Sequence, residues 1–170
     1  MQSHVKVMID QWRTVSPVWI ILALAVTPAV CEELFFRGYL LTALRTRFSA
    51  ATAILVSAVM FGAFHLILSG GVSVIRFVPS TLMGLVLGWS CVRSQSVFPG
   101  ILLHAIHNGL LLSVAYYGAE LRARGWDVED ATHLPPLWLG IATMTSVAGV
   151  FLMSRLPRTS QRPSTESKAA

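Results

Sequence analysis

The stretch VSPVWIILALAVTPAVCEELFFRGYLL, residues 15–41, decides the fold class, because it is apolar over a long run and yet carries charge near its end. About 20 mostly apolar residues are enough to cross the hydrocarbon core of a bilayer as a helix. Within this run, Glu32, Glu33 and Arg37 lie where the neighbouring residues predict hydrocarbon. A charged side chain at that depth costs roughly 2.5–3.5 kcal/mol on insertion scales, so such residues indicate a function.

The composition of the whole chain also indicates a membrane protein. Of its 170 residues, 54% are hydrophobic and 12% are charged, whereas soluble domains carry about 25% charged residues. Pro28, Pro79 and Pro99 interrupt apolar runs, which membrane helices tolerate. The further apolar runs cover residues 50–68, 72–92, 97–117 and 137–154. We therefore predict an all-α fold, a polytopic transmembrane helical bundle of about five spans.

The pattern of apolar and charged residues divides the chain into three regions. Residues 1–14 are a lead-in, residues 15–154 form the membrane domain, and residues 155–170 are a polar tail that we expect to be disordered. Basic residues follow the first, third and fifth runs, whereas the loop over residues 120–134 is mainly acidic. The positive-inside rule then places the tail in the cytoplasm. The net charge of +5 is spread over loops and tail, so we predict no nucleic-acid partner.

Helical spacing separates the two neighbouring glutamates. Glu33 and Arg37 are four residues apart with the acid first, the favourable order for a side-chain pair on one helix face. Glu32 is rotated by about 100° from Glu33. We expect Glu33 to pair with Arg37 as a structural clamp and Glu32 to face the bundle interior; alternatively, both acids lie at a wet helix end.

Two further apolar runs carry polar side chains on one face. Phe61 and His65 are four residues apart, as are His104 and Asn108, and His107 follows His104 by three. Taken alone, His65 is better explained as a core histidine, and the second set could provide hydrogen bonding between helices. Three polar side chains in one stripe nevertheless exceed what such bonding requires.

Hydrolysis is the chemistry that uses this set most completely. A carboxylate and a histidine can share the proton of a water and make it nucleophilic, while the Asn108 amide and a second histidine can donate hydrogen bonds to an oxyanion. Zinc is the alternative, with Glu32, His65 and His104 as ligands, although the H-E-x-x-H spacing is absent. We favour the metal-free interpretation and predict no cofactor.

With these residues in place, the sequence resembles the CPBP intramembrane proteases, which include type II CAAX prenyl endopeptidases (Rce1-like) and bacterial Abi proteins. The motifs E-E-x-x-x-R, F-x-x-x-H and H-x-x-x-N occur in order at residues 32–37, 61–65 and 104–108. The resemblance implies an endopeptidase acting on a membrane-associated or lipidated peptide. It also implies that Glu32 and His65 activate water and that His104 and Asn108 stabilise the oxyanion. Phe61 and His107 would then support the site, and Arg76 would snorkel to the interface or bind a carboxylate.

The resemblance extends to a bacterial subgroup in which such a domain follows an ABC-transporter permease in one polypeptide. It therefore implies a bacterial inner-membrane location, the bilayer and a peptide substrate as partners, and an association with a permease. Two other functions use the same residues: a transporter-associated subunit with a proton relay, and a catalytically silent membrane interaction or immunity protein.

Overall fold

The computed structural model describes residues 15–68 and 74–125, and within them every regular element is helical. The all-α prediction is therefore confirmed for this part of the chain. A long first helix, α1, covers Pro17–Arg45. The others are α2 (Ala50–Leu68), α3 (Val74–Ser94), α4 (Phe98–Tyr116) and α5 (Gly118–Ala123). The lead-in, the fifth apolar run and the tail lie outside the described residues.

Helix α1 alternates between α-helical and π-helical pairing. Its π-helical segments are Leu22–Val26 and Leu34–Leu40, and the glutamates lie between them on the α-helical segment Thr27–Glu33. Proline removes one backbone N–H and crowds the carbonyl four residues earlier, so Pro28 explains the first π segment. Thr27 restores the lost pairing, because its N–H and its Oγ1, at 2.9 Å, both donate to the carbonyl of Leu22. The helix therefore passes Pro28 without a break.

Helices α2 and α3 approach each other closely through small residues. A Cβ added to Gly84 would lie 2.9 Å from Cα and 3.0 Å from Cβ of Ala58, and one added to Gly88 would lie 3.2 Å from Ile54. Gly62 in turn faces Thr81 and the carbonyl of Phe77. Small residues at helix crossings permit such contact between backbones in membranes. The pair α2–α3 thereby forms one tightly packed unit beside α1.

Gly84→Ala is expected to lower the midpoint of thermal unfolding, because the new methyl group meets the backbone of Ala58. Overpacking of this kind typically costs about 1–3 kcal/mol. Gly109→Ala is the matched control, since a Cβ at Gly109 meets nothing within 4 Å. Unfolding of the detergent-solubilised variants, followed by tryptophan fluorescence, measures both. Equal midpoints for the two variants would contradict the close crossing.

Helix α1 is the central element, because it contacts α2, α3 and α4. Helix α4 begins at Phe98 with Pro99 in its first turn, where a missing N–H costs nothing. The next residue, Gly100, lies against Glu33, and a Cβ there would come within 2.9 Å of Oε2 of that glutamate. The absence of a side chain at Gly100 therefore lets the start of α4 pack on the acidic turn of α1.

Among the described residues, α1 and α4 are long and apolar enough to cross a membrane. Their apolar side chains face outward, as in Trp19 (67% exposed) and Leu102 (62% exposed). The apolar part of α2, Ala50–Leu66, is shorter, and α3 is interrupted by Arg76 and Pro79. Two of the five expected spans thus meet the criteria of length and apolarity, and the count of five stays a prediction.

The segment after α4 differs from the expected loop over residues 120–134, because its start is helical as α5. Glu120 lies in the first turn of this helix and Arg122 in its last. Both charges complement the helix dipole, which favours acids at the N-terminus and bases at the C-terminus. The expectation of a loop was therefore wrong for these residues, and the segment from residue 126 onward lies outside the described ones.

Candidate active site

Three of the four predicted catalytic residues meet at the carboxylate of Glu32. Its Oε2 lies 3.9 Å from Nε2 of His65 on α2 and 3.8 Å from Nε2 of His104 on α4. The side chain of His104 is 3% exposed, whereas those of Glu32 and His65 are 16% and 25% exposed. The group therefore lies at the edge of the bundle, buried toward α4 and accessible beside His65.

Glu33 points in a different direction and makes a buried ion pair with Arg37. Its Oε1 accepts a hydrogen bond from Nη1 of Arg37 at 2.6 Å, and both side chains are fully buried. The same oxygen lies 3.2 Å from Nδ1 of His104. The imidazole of His104 is consequently held between two carboxylates, with Nδ1 toward Glu33 and Nε2 toward Glu32.

Arg37 joins three helices at this point. Besides its bond to Glu33, its Nη2 donates to the carbonyl of Gly84 on α3 at 3.1 Å. Its Cζ lies 4.4 Å from the ring centroid of Phe61 on α2, within the range of a cation–π interaction. Within the described residues, its Nε has no hydrogen-bond partner. Arg37 thus ties α2 and α3 to the acidic turn of α1.

Phe61 fills the space between this arginine and the two imidazoles. Its ring is buried, with its centroid 4.6 Å from the His65 ring and 5.6 Å from the His104 ring. Its carbonyl oxygen lies 2.9 Å from Nδ1 of His65. Because a carbonyl can only accept, His65 donates from Nδ1; in the neutral imidazole, this leaves Nε2 as an acceptor facing Glu32.

The other two predicted residues of α4 differ in exposure. Asn108 is half-buried and follows His104 by one helical turn, which puts both on one face of α4. His107 is exposed, and the contacts of Glu32 and Glu33 given above do not involve it. The side chain of Arg76 lies outside the described part of the structure.

The distances between Glu32 and the two imidazoles also bear on the zinc alternative. Three ligands that share one tetrahedral zinc at about 2.0–2.1 Å lie roughly 3.3 Å from one another. Oε2 of Glu32 is 3.9 Å and 3.8 Å from the two imidazole nitrogens. In the described residues, no group of three potential ligands has the geometry of a metal site. Glu32, His65 and His104 therefore do not fit zinc in this arrangement.

Reasoning from the sequence missed the residues that bring the helices together. Gly84 supplies both the close crossing and the carbonyl for Arg37, and Gly100 admits the carboxylate of Glu33. Ser57 donates to the carbonyl of Phe36 at 3.2 Å and fixes α2 on α1. The repeat of Gly84 and Gly88 four residues apart is a small-residue signal that was available in the sequence.

Comparison with protein families gives a match over residues 14–110 to the model described as type II CAAX prenyl endopeptidase, Rce1-like. The matched segment covers more than half of the chain and contains all three motifs. No curated protein and no solved structure matches the chain significantly.

Proposed function

The chain belongs to the Rce1-like family of type II CAAX prenyl endopeptidases, and on that premise we propose that it hydrolyses a peptide bond in a membrane-associated or lipidated substrate. Membership makes it a protease of the membrane, and the outward apolar faces of α1 and α4 agree with an integral membrane protein. The observation that carries the proposal is the convergence of Glu32, His65 and His104 within 3.9 Å.

Water activation is the role of Glu32 and His65. Oε2 of Glu32 is buried and has no hydrogen-bond partner in the described part of the chain, and a buried polar atom of this kind calls for a partner. A water between Glu32 and His65 satisfies it, because the carboxylate and Nε2 of His65 each accept one of its protons. With both protons engaged, the oxygen lone pair points outward to a substrate carbonyl, and Glu32 acts as the general base.

Oxyanion stabilisation is the role of His104 and Asn108. Both lie on one face of α4, so N–H groups from this helix can point at the oxygen of the attacked carbonyl. Fixed donors in a site with little water stabilise such a charge by several kcal/mol in typical enzymes. A proton relay in a transporter subunit has no use for a carboxamide donor, which favours hydrolysis over that alternative.

A membrane-permeant chelator is expected to leave cleavage unchanged, because the three candidate ligands lie too far apart for one zinc. The measurement is the cleavage rate of the purified protein in proteoliposomes, with and without the chelator. Activity that disappears with the chelator and returns with zinc would instead establish Glu32, His65 and His104 as metal ligands.

The substrate and the activity can be tested together by comparing peptide termini. Membrane proteomes of cells that express wild type or Glu32→Gln are compared at equal protein abundance, since this substitution keeps the size of the side chain and removes the base. Fragments present only with the wild type support the proposal, and their ends identify the cleavage site. Identical termini would favour the catalytically silent interaction protein.

The proposal also covers the membrane in which the protein acts and one partner. We propose the bacterial inner membrane as the site of action, with the C-terminal tail in the cytoplasm. An association with an ABC permease is a proposal that rests on the sequence resemblance alone. A protease-protection assay on a C-terminal epitope tag tests the orientation of the tail, and co-purification with a permease tests the association.

A further inference from the structure

We propose that Glu33 is a positioning residue that fixes His104 in its Nδ1–H tautomer, so that Nε2 of His104 faces Glu32 as a proton acceptor. This inference rests on the proposed function for its chemical meaning. The structural claim concerns only which ring nitrogen of His104 carries the proton. It gives Glu33 a second task besides the clamp on Arg37.

The position of the proton follows from the partner of Nδ1. Oε1 of Glu33 lies 3.2 Å from Nδ1 of His104 and also accepts from Arg37 at 2.6 Å. An oxygen of an ion-paired carboxylate accepts hydrogen bonds and does not donate them, so the proton of this contact is on Nδ1. In a neutral imidazole the other nitrogen then carries a lone pair. As long as the ring of His104 is neutral, its Nε2 is therefore an acceptor.

Further contacts hold the side chains of Glu33 and His104 in place. Its carboxylate is fully buried and lies against Gly100, while Arg37 is held from the opposite direction by the carbonyl of Gly84. The side chain of His104 is 3% exposed, and its ring contacts that of Phe61 edge to face. These contacts hold the carboxylate and the imidazole in the orientation that places Oε1 of Glu33 beside Nδ1 of His104.

Three acceptors consequently face one another in the resting site. These are Oε2 of Glu32 and the Nε2 atoms of His65 and His104, with the carboxylate oxygen 3.9 Å and 3.8 Å from the two nitrogens. Acceptors at these distances are stable only around a donor, and water is the donor that hydrolysis requires. His104 therefore begins the reaction as an acceptor and becomes an oxyanion donor only after Nε2 gains a proton.

The reaction itself supplies that proton. As the water oxygen bonds to the carbonyl carbon, one O–H bond breaks, its electron pair stays on oxygen, and Glu32 takes the proton. The carbonyl π pair moves onto its oxygen. Glu32 passes the proton to Nε2 of His104, and the resulting imidazolium, stabilised by Glu33, donates to the oxyanion. The oxyanion pair then re-forms the C=O bond as the C–N bond breaks, and the C–N pair goes to nitrogen, which takes this proton and leaves as the amine.

The tautomer can be measured without any substrate. The full-length protein is labelled with ¹⁵N and ¹³C histidine in detergent micelles, and long-range correlations between ring protons and ring nitrogens distinguish the two neutral tautomers. The signals of His104 are assigned by their loss in His104→Gln. We expect Nδ1–H for His104. A wild-type His104 in the Nε2–H tautomer overturns the inference, whether or not the protein cleaves peptides.

Two variants test whether Glu33 determines the tautomer of His104. The double variant Glu33→Met and Arg37→Met replaces the buried ion pair by apolar side chains, a change that buried pairs often tolerate. Without its acceptor, His104 is expected to move to Nε2–H and donate to Glu32. Arg37→Lys is the matched control, because it keeps the counter-charge of Glu33, and it should retain Nδ1–H. An unchanged tautomer in the double variant overturns the role of Glu33, and if that variant does not fold, the wild-type spectrum decides.

Kinetics then separate positioning from substrate binding. Once a cleaved peptide is known, the double variant is expected to lose about 10²–10⁴-fold in kcat, the range for general acid–base catalysis, with KM unchanged. A proportional rise in KM at unchanged kcat would overturn the assignment. Absence of cleavage in the wild type together with Nδ1–H on His104 overturns the proposed function and the proton path, so the two failures are distinguishable.

Discussion

Arg37→Ala is expected to destabilise the folded protein by about 3–5 kcal/mol, the usual cost of removing one partner of a buried ion pair. The substitution leaves the carboxylate of Glu33 buried without its partner at 2.6 Å. It also removes the hydrogen bond to the carbonyl of Gly84 and the contact of the guanidinium with Phe61. Abundance in the membrane and the unfolding midpoint should both fall, and cleavage should fall with the amount of folded protein.

Arg45→Ala provides the control for that experiment. Arg45 is exposed at the end of the same helix, and exposed substitutions usually change stability by no more than about 0.5 kcal/mol. The pair of variants therefore compares loss of an arginine inside and outside the bundle. Normal yield of Arg37→Ala with complete loss of cleavage would contradict the structural role and place Arg37 among the reacting groups.

Glu32→Gln is expected to reduce the rate of peptide cleavage by about 10²–10⁴-fold, the usual contribution of a general base. The amide keeps the size of the side chain and an oxygen near His65 and His104, so the fold should be unaffected. The rate is measured in proteoliposomes with a substrate peptide identified from its termini. Equal unfolding midpoints for the variant and the wild type confirm that chemistry alone has changed.

Glu120→Gln is the control for the loss of a carboxylate, because Glu120 is exposed on α5. It should cleave at the wild-type rate. If Glu32→Gln retained activity within a few-fold of that rate, Glu32 would not be the base. The base would then be one of the two imidazoles, His65 or His104, whose Nε2 atoms lie 3.9 Å and 3.8 Å from Glu32.

Hydropathy was sufficient to find the four long helices of the described chain, but not the short helix α5. Apolar runs at residues 15–41 and 97–117 correspond to Pro17–Arg45 and Phe98–Tyr116, because apolar length needs no knowledge of neighbours. The π-helical segments of α1 could not be found in this way. Periodicity arguments assume about 100° per residue, and the extra residue of a π turn depends on local packing and on the missing N–H of Pro28.

The site was predictable only where its partners share a helix. Glu33 and Arg37 are four residues apart, so their pairing could be predicted from helical spacing alone. The contact of Glu33 with His104 joins residues 71 apart in sequence, and it depends on how closely α4 approaches α1. That approach depends on Gly100, where a Cβ would meet the carboxylate. Spacing along one helix carries no information about such a contact.

The π segments of α1 determine where the chain can absorb a change in its length. A deletion of one residue after Arg37 in the second π segment, at Gly38, Tyr39 or Leu40, can convert the wider turns to α-helical pairing, so the residues that follow keep their orientation. A deletion within Thr27–Glu33 falls in α-helical turns, which contain no extra residue to lose. It would therefore rotate the two ends of the helix by about 100° relative to each other. A one-residue deletion is therefore accommodated after Arg37, whereas at the turn that carries the glutamates it disrupts the site.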